Sequence, residues 1–191
     1  MNPKKFLYFT IIFWLLIFSG FIVNKEYTLR TGTEVLLKTA PVDPTDLFRG
    51  EYVTLNYEIS TLNVRELQAE EVYFDSNDRI YLSLELKDGY GVPKRICVDP
   101  PENELYIAGK VKDVVYNWGN SEEIGKGENT GIKELRVDYG IESYFVPEGK
   151  GMEIESKQWT EDQAVSVKIA IDKRGNALIK SLLIDGKEVE Y

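Results

Sequence analysis

Residues 6–23, "FLYFTIIFWLLIFSGFIV", run for 18 residues without a charge, and no other stretch constrains the chain as much. Wound as a helix at ~1.5 Å per residue, the run spans ~27 Å, close to the ~30 Å hydrocarbon core of a bilayer. A secretory h-region is shorter, roughly 7–15 residues. The best small-residue cleavage point, Ser19-Gly20, has the bulky Phe18 two positions before Gly20. An uncleaved signal anchor is therefore expected. A buried soluble helix would need apolar partners on every side, and little in the remaining sequence supplies them. The chain divides into a short tail (1–5), a transmembrane helix (6–23), a linker (24–32) and a larger domain (33–191).

Lys4, Lys5 and the α-amino group precede the span, and Lys25, Arg30 and Lys38 follow it. This bias is nearly even, but a long following domain translocates largely regardless of its charges. The expectation is an inside N-terminus and a domain outside, in the periplasm or at the cell exterior.

The formal net charge of −9 argues against nucleic-acid binding, which needs a basic face to release counterions. It also disfavours broad adhesion to anionic headgroups. Histidine is absent and Cys97 is the sole cysteine. No Ser-His-Asp triad, Cys-His dyad or thiolate–imidazole zinc site can be assembled, and no cofactor is implied. Cys97, within "RICVD", reads as a small core residue.

Beyond residue 32 the apolar residues recur with period two. "TEVLLKT" (33–39) reads as a first strand. "YVTLNYEI" (52–59) places Val53, Leu55, Tyr57 and Ile59 on one face. "RIYLSLELK" (79–87) alternates most cleanly, with Ile80, Leu82, Leu84 and Leu86 inward; burying four such side chains is worth roughly 6–12 kcal/mol before entropy. "KRICVD" and "LYIAGKVKDVVY" continue as strands, with Gly109 a bulge or point of close approach. "AVSVKIAID", "ALIKSLLI" and the turns "KRGN" and Asp185-Gly186 form a closing meander. "TLNVRELQAEE" (61–71) reads as a short helix or irregular crossing, and "NWGNSEEIGKGENTGI" (117–132) as an exposed loop. The expected fold is mainly β: one compact barrel-like or sandwich domain of about eight antiparallel strands, preceded by one transmembrane helix.

The stretch "DPTDLFRGEYVTLNY" (43–57) explains itself locally. Asp43 suits an N-cap, Pro44 the first helical position, Asp46 the exposed amides of the first turn, and Gly50 a left-handed stop. Arg49 can pair with Asp43, Asp46 or Glu51. Oxygens of Asp43, Asp46, Glu51 and Glu58 match no calcium-loop spacing. Signal-peptidase-type serine proteases, which use a Ser-Lys dyad, have a similar corner before a strand. Aligning Pro44-Thr45 with it puts Pro41 where the nucleophilic serine belongs, and proline carries no nucleophile.

Gly50-Glu51-Tyr52-Val53-Thr54-Leu55-Asn56-Tyr57 resembles the signature of the bacterial GDYXXLXY family, with Glu51 in place of aspartate. "PVDPTDLFRG" is similar to that family's lead-in, and "YGIESYFVPEGKG" (139–151) to its second block. The resemblance implies a membrane-anchored bacterial protein with no established enzymatic activity, acting beside a polytopic membrane protein. With the single apolar span, the expected location is the bacterial cytoplasmic membrane, as a single-pass chain with its C-terminal domain outside.

In the second block, Tyr139, Tyr144 and Phe145 cluster around Ile141 and Val146 and read as packing. The functional alternative is a groove in which Tyr52, Glu142, Tyr144 and Glu148 face a ligand or partner. "VTLNYEI" and "LRVDYGI" share a spacing of apolar, Tyr and Ile residues. The expected function is a non-catalytic binding domain or membrane-complex subunit. The alternative is a hydrolase using carboxylates or a Ser-Lys pair, and a Ser143, Ser156 or Ser166 bonded to a buried lysine would favour it.

Overall fold

The computed structural model describes residues 3–40, 52–69, 73–116, 132–145 and 165–189. Helix α1 (Pro3–Thr31) is exposed along its apolar length, and Leu7–Thr31 is long and apolar enough to cross a membrane. The helix does not stop at residue 23. It continues through the expected linker to Thr31, about 43 Å in all at ~1.5 Å per residue. Residues 24–31 contain neither glycine nor proline, so nothing breaks the hydrogen-bond ladder before Gly32.

The rest is β structure in one mixed sheet and a small ribbon. β1 (Thr33–Lys38) follows α1 directly. β2 (Tyr52–Thr54), β3 (Thr61–Asn63) and β4 (Gln68–Ala69) are short. β5 (Arg79–Lys87), β6 (Tyr90–Cys97), β7 (Tyr106–Tyr116) and β8 (Ile132–Asp138) form the long middle. β9 (Ser143–Phe145), β10 (Val165–Ile171), β11 (Ala177–Ile184) and β12 (Lys187–Glu188) complete the chain. The sheet order is β12-β11-β10-β1-β6-β5-β7-β8-β3, with β4 on the free part of β6 and β2 paired to β9.

Two pairings depart from the all-antiparallel expectation: β1 runs parallel to β6 at Leu36–Tyr90, and β4 runs parallel to β6 at Gln68–Arg95. The segment 61–71, read as a short helix or irregular crossing, is instead strand, turn and strand as far as residue 69. The expected strand 52–59 ends at Thr54; Tyr57 forms only a bridge to Thr39 before a 3-10 turn at Glu58–Ser60. Leu55, Tyr57 and Ile59 are still buried, because the corner turns them into the core.

The sheet coils back on itself. Although β7 lies four places from β10, its Ala108 N–H donates to the carbonyl of Gly175 in the β10–β11 turn (2.9 Å), and the Tyr106 hydroxyl donates to Lys173 O (3.0 Å). Asp172 shapes that turn by accepting hydrogen bonds from the backbone of Arg174 and Asn176. Gly175 has φ +79°, and a Cβ there would lie 2.6 Å from the Tyr106 ring, so both backbone and space call for glycine. Gly109 is the expected close approach: a Cβ would lie 2.5 Å from Val137 and 2.9 Å from the Tyr139 ring. The closing meander is present, and Asp185 and Gly186, both at positive φ, make its final hairpin turn.

One hydrophobic core runs through the coil, from Val35 and Leu37 through Ile80, Leu82, Ile107 and Leu135 to Val167 and Leu182. Leu86 is the exception on β5: it is exposed at the strand's end, beside the foot of α1. Ser83, on the outward face, is fully buried; its hydroxyl donates to Glu104, and the β5–β6 register shifts just after it, leaving Lys94 of β6 as the extra residue. On β10 both faces are covered, since the last turn of α1 packs on the outer one. There Thr28 is buried, and a Cβ on Gly32 would sit 3.2 Å from that of Ala170. The last turn of the membrane-length helix is thus packed onto the sheet.

Candidate functional site

The two sequence blocks meet in space. β2 pairs antiparallel with β9, setting Tyr52 opposite Phe145, Val53 opposite Tyr144 and Thr54 opposite Ser143. Immediately beyond the ribbon, the Leu55 N–H donates to the carbonyl of Glu142 (2.8 Å). Then come two reciprocal bonds. The Tyr57 hydroxyl donates to Ile141 O (2.6 Å), and the Tyr139 hydroxyl donates to Ile59 O (2.8 Å). Each tyrosine reaches the isoleucine two residues past the other tyrosine, which is the structural meaning of the shared Tyr-x-Ile spacing.

The local sequence sets this geometry. Ser60 closes the 3-10 turn, its hydroxyl accepting from the Tyr57 N–H and its own N–H donating to Tyr57 O. Gly140, at φ +78°, turns the chain between β8 and β9, a conformation that glycine enters at least cost. The Glu142 carboxylate accepts the Tyr139 N–H across that turn. Tyr57 and Tyr139 are almost wholly buried. Burial, with the Glu142 charge second, raises both phenol pKa values well above the usual range, so both hydroxyls remain donors.

The other expected residues divide as follows. Leu55 is buried in the core, as its place in the signature requires. Tyr144 is partly buried against the core, and burial raises its hydroxyl pKa. Phe145 is 75% exposed. Asp43, Asp46, Arg49, Gly50, Glu51 and Glu148 lie outside the described residues, as do the capped turn at 43–50 and the loop 117–131. The groove expected from Tyr52, Glu142, Tyr144 and Glu148 is therefore described only at its Glu142 and Tyr144 side, where the Glu142 carboxylate serves the Gly140 turn.

The second block lies next to one of two cavities that flank the foot of α1. The larger, about 630 Å³, is bounded by Asn24, Tyr27, Leu86, Glu104, Tyr106 and the Asp172–Arg174 turn. The smaller, about 580 Å³, is bounded by Lys25, Arg79, Lys110, Asp138 and the backbone turn at Tyr139-Gly140. At the edge of the larger cavity Glu104 gathers Ser83, Lys94 and Arg95, the last two at 3.0 and 3.4 Å. The Ser83 hydroxyl and then Lys94 hold its carboxyl down at about 2, so it stays ionised at neutral pH and is a poor proton donor or acceptor. Ser143 and Ser166 have no hydrogen bond to a lysine among the described residues, and Ser156 lies outside them. Among the described residues no three His, Cys, Asp or Glu side chains form a metal-holding group.

These cavities have no signature in the sequence: apart from the adjacent Lys173 and Arg174 of the KRGN turn, their cations come from the distant positions 25, 79 and 110 and converge only through the coil of the sheet.

The comparison with known families agrees with this corner. The family model described as GDYXXLXY protein matches residues 14–182. The chain belongs to the GDYXXLXY family. No curated protein and no solved structure matches it. Within the GDYXXLXY signature, Leu55 fills the core and Tyr57 bonds across to Ile141, so at least these two defining residues build the corner. The match also takes in most of α1, so the apolar helix and the β domain fall within one family unit.

Proposed function

We propose that this chain is a membrane-anchored, non-catalytic domain held outside the bacterial cytoplasmic membrane by α1, where it serves as a binding domain or as a subunit of a membrane complex. The observation that supports this reading most is the join between α1 and the sheet. An anchor that only tethered its domain would be served by a flexible linker. Here the helix runs unbroken to Thr31, buries Thr28 and leads through one tightly packed glycine into β1. Such a join fixes the orientation of the domain over the bilayer, which matters when a second membrane protein must meet it at a defined angle. A polytopic membrane protein is the partner this arrangement suits.

The test is gentle solubilisation of membranes containing the full chain, followed by sizing and mass spectrometry of the intact assembly. The reading expects an integral membrane protein held in fixed stoichiometry. Recovery of the chain alone and monodisperse would overturn the subunit reading.

A further inference from the structure

The apolar run of α1 ends at Val23, and the next two residues open onto the two cavities: Asn24 onto the larger and Lys25 onto the smaller. A bilayer crossed by residues 6–23 therefore sets its headgroup layer against this face of the domain. This step rests on the reading of α1 as a membrane span.

The charges on that face are sorted against the trend of the molecule. In a chain of net charge −9, the two linings bring together Lys25, Arg79, Lys110, Lys173 and Arg174 against Glu104, Asp138 and Asp172. The three carboxylates are already engaged. Glu104 is bonded to Ser83 and Lys94, Asp138 lies 3.8 Å from Lys112, and Asp172 is bonded to the backbone and side chain of its own turn. Arg79 lies over the Tyr81 ring. Lys25, Lys110 and Lys173 enter no ion pair among the described residues, and the Arg174 charge is shared with Asp172 of its own turn. Tyr27 and Leu86, both exposed, add apolar surface at the same level, where tyrosine suits the bilayer interface. Like charges gathered on one face repel one another, and an anion bound among them relieves that repulsion.

We propose that the face around the exit of α1 is a seat for the phosphate headgroups of anionic phospholipids in the membrane that α1 crosses. Lys173 and Arg174 serve the larger cavity, and Lys25 and Lys110 the smaller. The net acidity of the chain works against broad adhesion, so this contact is local and keyed to the helix exit. It draws one face of the domain down onto the bilayer and turns the remaining acidic surface away from it.

The experiment uses the full chain reconstituted into phosphatidylcholine vesicles containing a minor fraction of phosphatidylglycerol. The lipid retained by the protein is quantified by native mass spectrometry. The expected result is phosphatidylglycerol enriched over the bulk, with enrichment falling roughly fivefold for each seated cation lost and weakening in high salt. Lys173→Glu with Arg174→Glu should lower it, as should Lys25→Gln with Lys110→Gln, which keeps the test valid if one pair misfolds. Arg65→Glu with Lys133→Glu makes the same charge change on residues lining neither cavity and should leave it unchanged. Retained lipid matching the bulk, or an equal fall in all three variants, would overturn the proposal. Loss of the chain from the vesicles on alkaline washing would overturn the membrane reading of α1 and this inference with it.

Discussion

The reciprocal tyrosine bonds make a quantitative prediction. Tyr57→Phe and Tyr139→Phe each keep the buried ring and remove one hydroxyl, leaving the carbonyl of Ile141 or Ile59 without that donor. Deleting one partner of such a buried bond costs about 1–3 kcal/mol, because the remaining group has lost water without replacement. For a protein of this size that is a fall in thermal midpoint of roughly 2–4 °C per kcal/mol. Both bonds clamp the same two segments, 57–59 and 139–141, so the losses should not add. Once one bond is gone, the corner relaxes and the second has less to hold, with a coupling of about 0.5 kcal/mol or more. The assay is thermal unfolding of the full chain in detergent, followed by the β signal in circular dichroism, for the wild type, both single variants and the double variant. Two single variants melting with the wild type would refute the bonding. Strictly additive losses would refute the clamp.

Other substitutions test the coil and its charges. Gly109→Ala places a methyl group within 2.5 Å of Val137 and against the Tyr139 ring, and overpacking of this kind should cost about 1–3 kcal/mol in the same unfolding assay. Glu104 titrates at about 2 in the folded chain against a usual 4.5, because Ser83 and Lys94 favour its ionised form. Its contribution to stability is therefore complete above pH 4.5 and lost as pH falls towards about 2. Glu104→Gln cannot ionise, so its melting point should fall less than that of the wild type on acidification from about pH 5 to about pH 3. A parallel fall in both would show that Glu104 is not part of the acid response.

The sequence made the mainly β fold legible because β5, β10 and β11 are long enough for period-two alternation to stand out. It also located the membrane-length helix, since an uncharged run needs no tertiary context to be recognised. The end of the helix was harder. Residues 24–31 are mostly polar, and although no glycine or proline breaks the helix there, its packing on β10 is what the sequence pattern did not show. Likewise, 52–59 alternates like a strand, yet the chain must turn at Tyr57 to reach β3, so the apolar residues are buried through a corner. The parallel neighbours of β6 could not be inferred from local patterns, because β1 and β4 join it from far away in the chain. At the site, Tyr57 and Tyr139 were visible as aromatic residues in two related spacings. Their exchange of hydrogen bonds was not, since it depends on which carbonyl each hydroxyl reaches. Of the five cations around α1, Lys25 and the KRGN turn were visible singly, but nothing in the sequence showed that they converge.

The orientation of the domain depends most on α1 crossing a bilayer, and Trp14 tests this directly because it sits at the middle of the 6–23 run. With Trp118 and Trp159 replaced by phenylalanine, Trp14 becomes the sole indole in the chain. Its fluorescence is measured in vesicles of lipids brominated either near the headgroup or deep in the acyl chain. A helix spanning the bilayer puts Trp14 near the midplane, so the deep bromines should quench it more strongly than the shallow ones. Equal and negligible quenching by both, or stronger quenching by the shallow set, would contradict the membrane span on which the orientation of the domain rests.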